Sequence, residues 1–71
     1  MFAVKSHPDY QWQAWDIPTY NKAKATARQQ SRAYPNVPFL VVDRTGWVWS
    51  AFRNGTTIPG FLPYQLPPQM N

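Results

Sequence analysis

Apolar residues crowd into two runs near the middle of the chain, Phe39-Leu40-Val41-Val42 and Trp47-Val48-Trp49-Ser50-Ala51-Phe52. Both runs are rich in β-branched and aromatic side chains, which fit a pleated, half-buried surface. The stretch from Pro38 to Gly55 is therefore expected to form a β-hairpin. Its loop, Arg44-Thr45-Gly46 with glycine last, suits a type I turn followed by a left-handed residue in a bulge. Asp43 is placed to accept hydrogen bonds from the turn amides. Pairing Asp43 with Trp47 sets the register: Val42 opposite Val48, Val41 opposite Trp49, Leu40 opposite Ser50 and Phe39 opposite Ala51. Alternation then puts Leu40, Val42, Val48 and Phe52 on one face, and Phe39, Val41, Trp47 and Trp49 on the other. Both faces are apolar, so both need a cover.

The remaining pattern supplies candidate covers. Phe2 to Ser6 alternates as a half-buried strand does. His7-Pro8-Asp9 reads as a turn, and Tyr10 to Trp15 alternates again as a second strand. Thr19 is a plausible helix N-cap. From Tyr20 to Ala33 the chain is rich in good helix formers, with Tyr20, Ala23, Ala27 and Tyr34 on one stripe. Pro35 ends that helix. Alanines permit close approach, and the Leu40, Val42, Val48, Phe52 face is expected to lie beneath them. The other face is left to the N-terminal segment, the C-terminal tail, a second copy of the chain or a different partner. Trp47, nearest the turn, is expected to be more exposed than Trp49.

Residues 56 to 71 hold four of the eight prolines and no charged residue. This segment reads as an extended, polyproline-like tail. Phe61, Leu62, Tyr64 and Leu66 are expected to drape over an apolar face, with disorder beyond Pro68. The fold class is thus α+β. It is a small single domain over residues 1–55, an antiparallel sheet with one helix packed on it in the order β-β-α-β-β, followed by the proline-rich tail over residues 56–71.

Composition narrows the function. Seventy-one residues make one domain with a thin core. There is no cysteine, hence no disulfide and no thiolate metal site. Seven Lys or Arg against three Asp give a net charge of +4, which favours anionic partners. No apolar run is long enough to span a bilayer, so no membrane role is expected. The first residues lack the basic and apolar regions of a signal peptide, which makes the cytoplasm the expected location.

Catalysis is not expected. His7, Asp9, Asp16 and Asp43 are the only groups that titrate between acid and neutral pH. Ser6-His7-Pro8-Asp9 holds three triad residue types, but neighbours in a turn point apart, while a triad needs side chains converging from different elements. One His and scattered Asp do not make a metal site. No glycine-rich phosphate loop is present, and no cofactor is implied.

Binding remains. Trp47, Trp49, Arg44 and Arg53 share the hairpin, and interface cores are enriched in Trp, Tyr and Arg. Lys24, Arg28 and Arg32 recur every four residues and form a basic row along the helix. That row is either a solvated face whose stems cover the core edge or an anion-facing ridge. These seven residues are the candidate partner-binding set. The leading expectation is a small non-enzymatic modulator that binds a protein with an acidic or nucleic-acid-binding surface. The alternative is a single-stranded nucleic-acid binder that uses tryptophan stacking and Lys/Arg phosphate contacts.

Three segments carry a resemblance: Phe2-Ala3-Val4-Lys5, the run Tyr20-Asn21-Lys22-Ala23-Lys24-Ala25-Thr26-Ala27, and the hairpin from Phe39 to Trp49. Their order, a strand, a basic alanine-rich helix and an aromatic hairpin, resembles that of small phage-encoded host-modulating proteins of the inhibitor type. The resemblance covers residues 2 to 55 and is one of architecture. It implies action by binding a host protein, and it assigns no residue a role.

Overall fold

The computed structural model describes residues 1–58 and 64–65. The elements are β1 (Phe2–Ser6), β2 (Gln13–Ile17), α1 (Tyr20–Ala33), β3 (Phe39–Asp43), β4 (Trp47–Arg53) and two short strands, β5 (Thr56–Thr57) and β6 (Tyr64–Gln65). The strands form one antiparallel sheet in the order β2-β1-β3-β4-β5, and α1 packs on it. β6 also pairs with β4, at Trp47 and Val48. The expected α+β architecture is what the chain adopts, with β5 and β6 added along the outer edge of β4. Phe61, Leu62, Leu66 and the segment beyond Pro68 lie outside the described residues, and Tyr64 is described by its backbone alone.

α1 starts and stops where its sequence says it should. Thr19 is extended and its Oγ1 accepts the Lys22 amide at 3.2 Å, which satisfies one orphan N–H of the first turn. The buried face is Ala23, Ala27 and Ser31, at a spacing of four. Tyr34, expected on that stripe, is instead the exposed C-cap residue. The chain has left helical geometry there, ahead of Pro35, so the buried stripe ends three residues earlier, on Ser31.

The second strand begins later than the alternation suggested, at Gln13 rather than Tyr10. Tyr10 has φ 55, and its amide donates to the Ser6 carbonyl at 3.0 Å. The Ser6 amide donates to the Trp12 carbonyl at 2.9 Å, and the Ser6 hydroxyl accepts the Trp12 amide at the same distance. Residues 7–12 are thereby folded into a closed loop, and regular pairing with β1 starts only past it.

The hairpin turn forms as expected. Gly46 has φ 88 and its amide donates to the Asp43 carbonyl at 3.1 Å. The register does not hold along the whole hairpin. Val42 faces Val48, but Val41 then faces Ser50, Leu40 faces Ala51 and Phe39 faces Phe52. Trp49 is skipped: it is the extra residue of a β-bulge, which lets a strand change which residues point to which side.

That bulge decides the core. Past Trp49 the strand has shifted by one, so Phe52 joins Phe39 and Val41. Those three, with Val4, pack against Ala23 and Ala27. Leu40, Val42 and Val48, with Ala3 and Ala51, form a second buried cluster on the opposite face, with Tyr10 and Ile58 against it. The expectation that α1 lies over Leu40, Val42, Val48 and Phe52 therefore holds for Phe52 alone; the other three lie on the opposite face. Two phenylalanines meeting two alanines fill the space between sheet and helix, large against small. Phe39 and Phe52 are each 1% exposed, a burial worth roughly 1.5–3 kcal/mol per ring.

The exit of β4 is tied to the end of α1. The Gly55 amide donates to the Ser31 hydroxyl at 2.8 Å, and that hydroxyl donates to the Arg28 carbonyl at 2.8 Å. Gly55 has φ 79, and a Cβ there would stand 2.7 Å from Arg32 Nε.

Candidate functional site

The aromatic end of the molecule is built where the hairpin turn, the start of β1 and the start of α1 meet. Phe2 pairs with Asp43 across β1 and β3, and paired residues share a face. The carboxylate of Asp43 is thus set beside the bulged Trp49. Its Oδ1 accepts from the Thr45 amide at 2.8 Å, the Thr45 hydroxyl at 2.6 Å and the Trp47 amide at 3.1 Å. Its Oδ2 accepts from the Trp49 indole at 2.9 Å. What burial there is raises the Asp43 pKa, but these four donors outweigh it and bring the carboxyl down to about 2. Asp43 is therefore a fixed negative charge at neutral pH.

Trp49 is held on its other side by rings. Its centroid lies 5.5 Å from those of both Phe2 and Tyr20, edge-on to the first and tilted to the second. Phe2 and Tyr20 are 5.7 Å apart, so the three rings close a triangle. Lys24 stands over the Tyr20 ring at 4.9 Å. Despite these contacts Trp49 is 45% exposed, against 40% for Trp47. The expected order of exposure is thus not observed, because the bulge pushes Trp49 outward.

On the same end, Met1, Phe2, Ala3, Trp15, Asp16, Asp43 and Arg44 line a shallow cleft of about 200 Å³. Met1 and Trp15 are more than half exposed. Behind Trp15 sits Lys5, whose Nζ is 4.5 Å from that ring and 5.6 Å from the Tyr10 ring. Lys5 is buried, and the loss of water holds its ammonium below the ordinary value of 10.5.

The structure gathers some of the expected binding residues and separates others. Trp47, Trp49, Arg44 and Lys24 belong to the aromatic end. Arg53 closes the far end of β4, about 20 Å away at the rise of a strand. Lys24, Arg28 and Arg32 do run as one row along α1, but each rests on something. Lys24 lies on Tyr20, Arg28 lies 5.0 Å over the Phe52 ring, and the Arg32 stem lies against Gly55. The row covers the edge of the core with its stems.

Sequence reasoning missed Phe2, Tyr20, Trp15 and Met1 as members of this surface. Phe2 and Tyr20 carried an apolar signal, but only strand pairing and helix docking bring them to Trp49. Among the described residues no group of three or more His, Asp or Glu could hold a metal ion. Among them, too, no helix is long and apolar enough to cross a membrane. Comparison with known protein families, with curated proteins and with solved structures finds no match for the chain.

Proposed function

We propose that the chain is a non-enzymatic protein-binding module that docks through its aromatic end, with Trp49, Trp47 and Arg44 as anchors and Phe2, Tyr20 and Lys24 around them. Its mode of action is the inhibitor-type modulation of a host protein that the architectural resemblance implies. One observation carries the reading: the Trp49 indole is clamped by Asp43 and two rings, yet nearly half of it faces solvent. A large aromatic side chain fixed before binding loses little entropy on docking, and such residues dominate interface energetics.

Electrostatics favour a protein over a nucleic acid at this end. Asp43 is ionised beside Trp49, and Asp16 lines the same cleft. Arg44 and Lys24 balance these two carboxylates, so this end carries no excess of positive charge to track a phosphate backbone, while its mixed charges suit a protein surface.

The test is affinity capture with the tagged chain from lysate of the cells in which it acts, run beside the Trp47→Ala and Trp49→Ala variants. A protein captured by the parent should be lost with either variant, each weakening binding by about 2 kcal/mol. An oligonucleotide titration at rising salt runs in parallel. Binding that falls steeply with salt and depends on Trp49 would replace this reading with single-stranded nucleic-acid binding.

A further inference from the structure

At the end of the sheet away from the hairpin turn, a second concavity is built from the loop after β1 and the turn after α1. Its volume is about 480 Å³, in the range of ligand sites. Phe39, 1% exposed, is its floor. Trp12 stands edge-on to Phe39 with centroids 5.6 Å apart, and Tyr34 lies tilted against the same ring at 6.3 Å. Two partly exposed rings thus rise from one buried ring, with Pro8 beside them in the lining.

Both walls are locked by the backbone. The Trp12 wall is closed by its two hydrogen bonds with Ser6, and the His7 amide donates to the Pro38 carbonyl at 2.9 Å. The Tyr34 wall is closed by its own amide to the Gln30 carbonyl at 3.0 Å and by the Val37 amide to the Tyr34 carbonyl at 2.9 Å. The groove is therefore formed before any ligand arrives. The Trp12 indole N–H, the Tyr34 hydroxyl and the Asn36 side-chain amide make no hydrogen bond among the described residues. These residues line the slot and bring donors to it.

The lining selects against phosphates. In a chain of net charge +4, no Lys or Arg lines this cleft, and Asp9 lines it instead. An anionic ligand would meet a carboxylate and no cation. A neutral or cationic ligand with apolar faces and exposed acceptors fits. A polyproline II segment has that chemistry: its rings present flat apolar faces, its carbonyls all point to solvent, and its low chain entropy suits a rigid aromatic slot.

We propose that the Trp12–Tyr34 groove binds a proline-rich peptide segment in the polyproline II conformation, with a basic residue of the peptide placed against Asp9. This site is separate from the aromatic end and does not depend on the function proposed for it.

The test is fluorescence anisotropy with a labelled proline-leucine peptide carrying one arginine, titrated with the intact chain. Saturable binding is expected, and Tyr34→Ala should weaken it at least about 10-fold. Tyr34 is 53% exposed, so that variant should keep its fold. If its melt is lowered, Asn36→Ala, on an exposed residue, reads the same groove and should weaken binding too. Asp9→Asn should lower affinity for the arginine peptide to that of an arginine-free peptide, and Trp47→Ala should leave both unchanged. The proposal is overturned by no saturable binding, by equal binding in the groove variants, by loss in Trp47→Ala, or by displacement of the peptide by an oligothymidylate.

Discussion

The indole N–H of Trp49 donates to Oδ2 of Asp43 over 2.9 Å, across the hairpin turn from which Asp43 also collects the Thr45 and Trp47 amides. One carboxylate therefore fixes both the turn and the exposed ring next to it. The fold of the hairpin and the readiness of the binding surface rest on the same group.

Asp43→Ala should lower stability by about 2 kcal/mol, since hydrogen bonds to a charged acceptor exceed neutral ones. The pH dependence has a definite sign. The folded carboxyl titrates near 2, below its ordinary value of 3.8. Its contribution is complete above the unfolded value and is lost as pH falls through the folded one. The parent's melting temperature should drop between about pH 4 and pH 2, and the drop should be smaller in Asp43→Ala. Equal slopes in the two melts would show that the carboxylate does not act this way.

Gly55→Ala should cost more than ~1 kcal/mol, from a positive φ and from the clash of the new Cβ with Arg32. Arg32→Ala in the same chain should recover the clash and leave the backbone strain. A double-mutant cycle by chemical denaturation separates the two. Additive losses would mean that Arg32 yields freely.

Arg28→Ala should destabilise by about 0.5–1 kcal/mol, because the guanidinium lies on the Phe52 ring and its stem shields the core. Lys22, exposed in the first turn, serves as the comparison. Lys22→Ala should leave the denaturation midpoint in place. If both substitutions are silent, the basic row is solvated surface alone.

Lys5→Met should hold or raise stability, by up to about 1 kcal/mol, since a buried ammonium with no carboxylate partner among the described residues carries a desolvation cost. Its folded pKa lies below the unfolded 10.5. The cost is present while the ammonium is charged in both states, and it disappears as pH rises through the folded value toward the unfolded one. The stability gap between parent and variant should therefore narrow toward alkaline pH. A gap that widens would show that the Trp15 and Tyr10 rings favour the cation more than burial penalises it.

Much of this fold is written locally. The helix, its Thr19 cap, the Gly46 turn and the Asp43 acceptor are settled by residues within four positions of each other, so propensity, capping and turn chemistry sufficed to predict them. The pairing of Val42 with Val48 followed from the turn. What lay beyond the turn did not follow, because a bulge at Trp49 answers to contacts far away in the chain. Phe2 and Tyr20 receive its ring, and Phe39, Ala23 and Ala27 take Phe52. Nothing in the run Trp47 to Phe52 distinguishes the bulged register from the regular one, since apolar residues occupy both alternating sets. The same ambiguity hid the groove between Trp12 and Tyr34, whose walls are 22 residues apart in sequence and meet only on Phe39. The sequence by itself determined β1, the helix and the hairpin with its turn; packing of rings against alanines across the sheet decided which face is covered and which aromatic residues remain to bind, because only close packing in three dimensions chooses between two equally apolar faces.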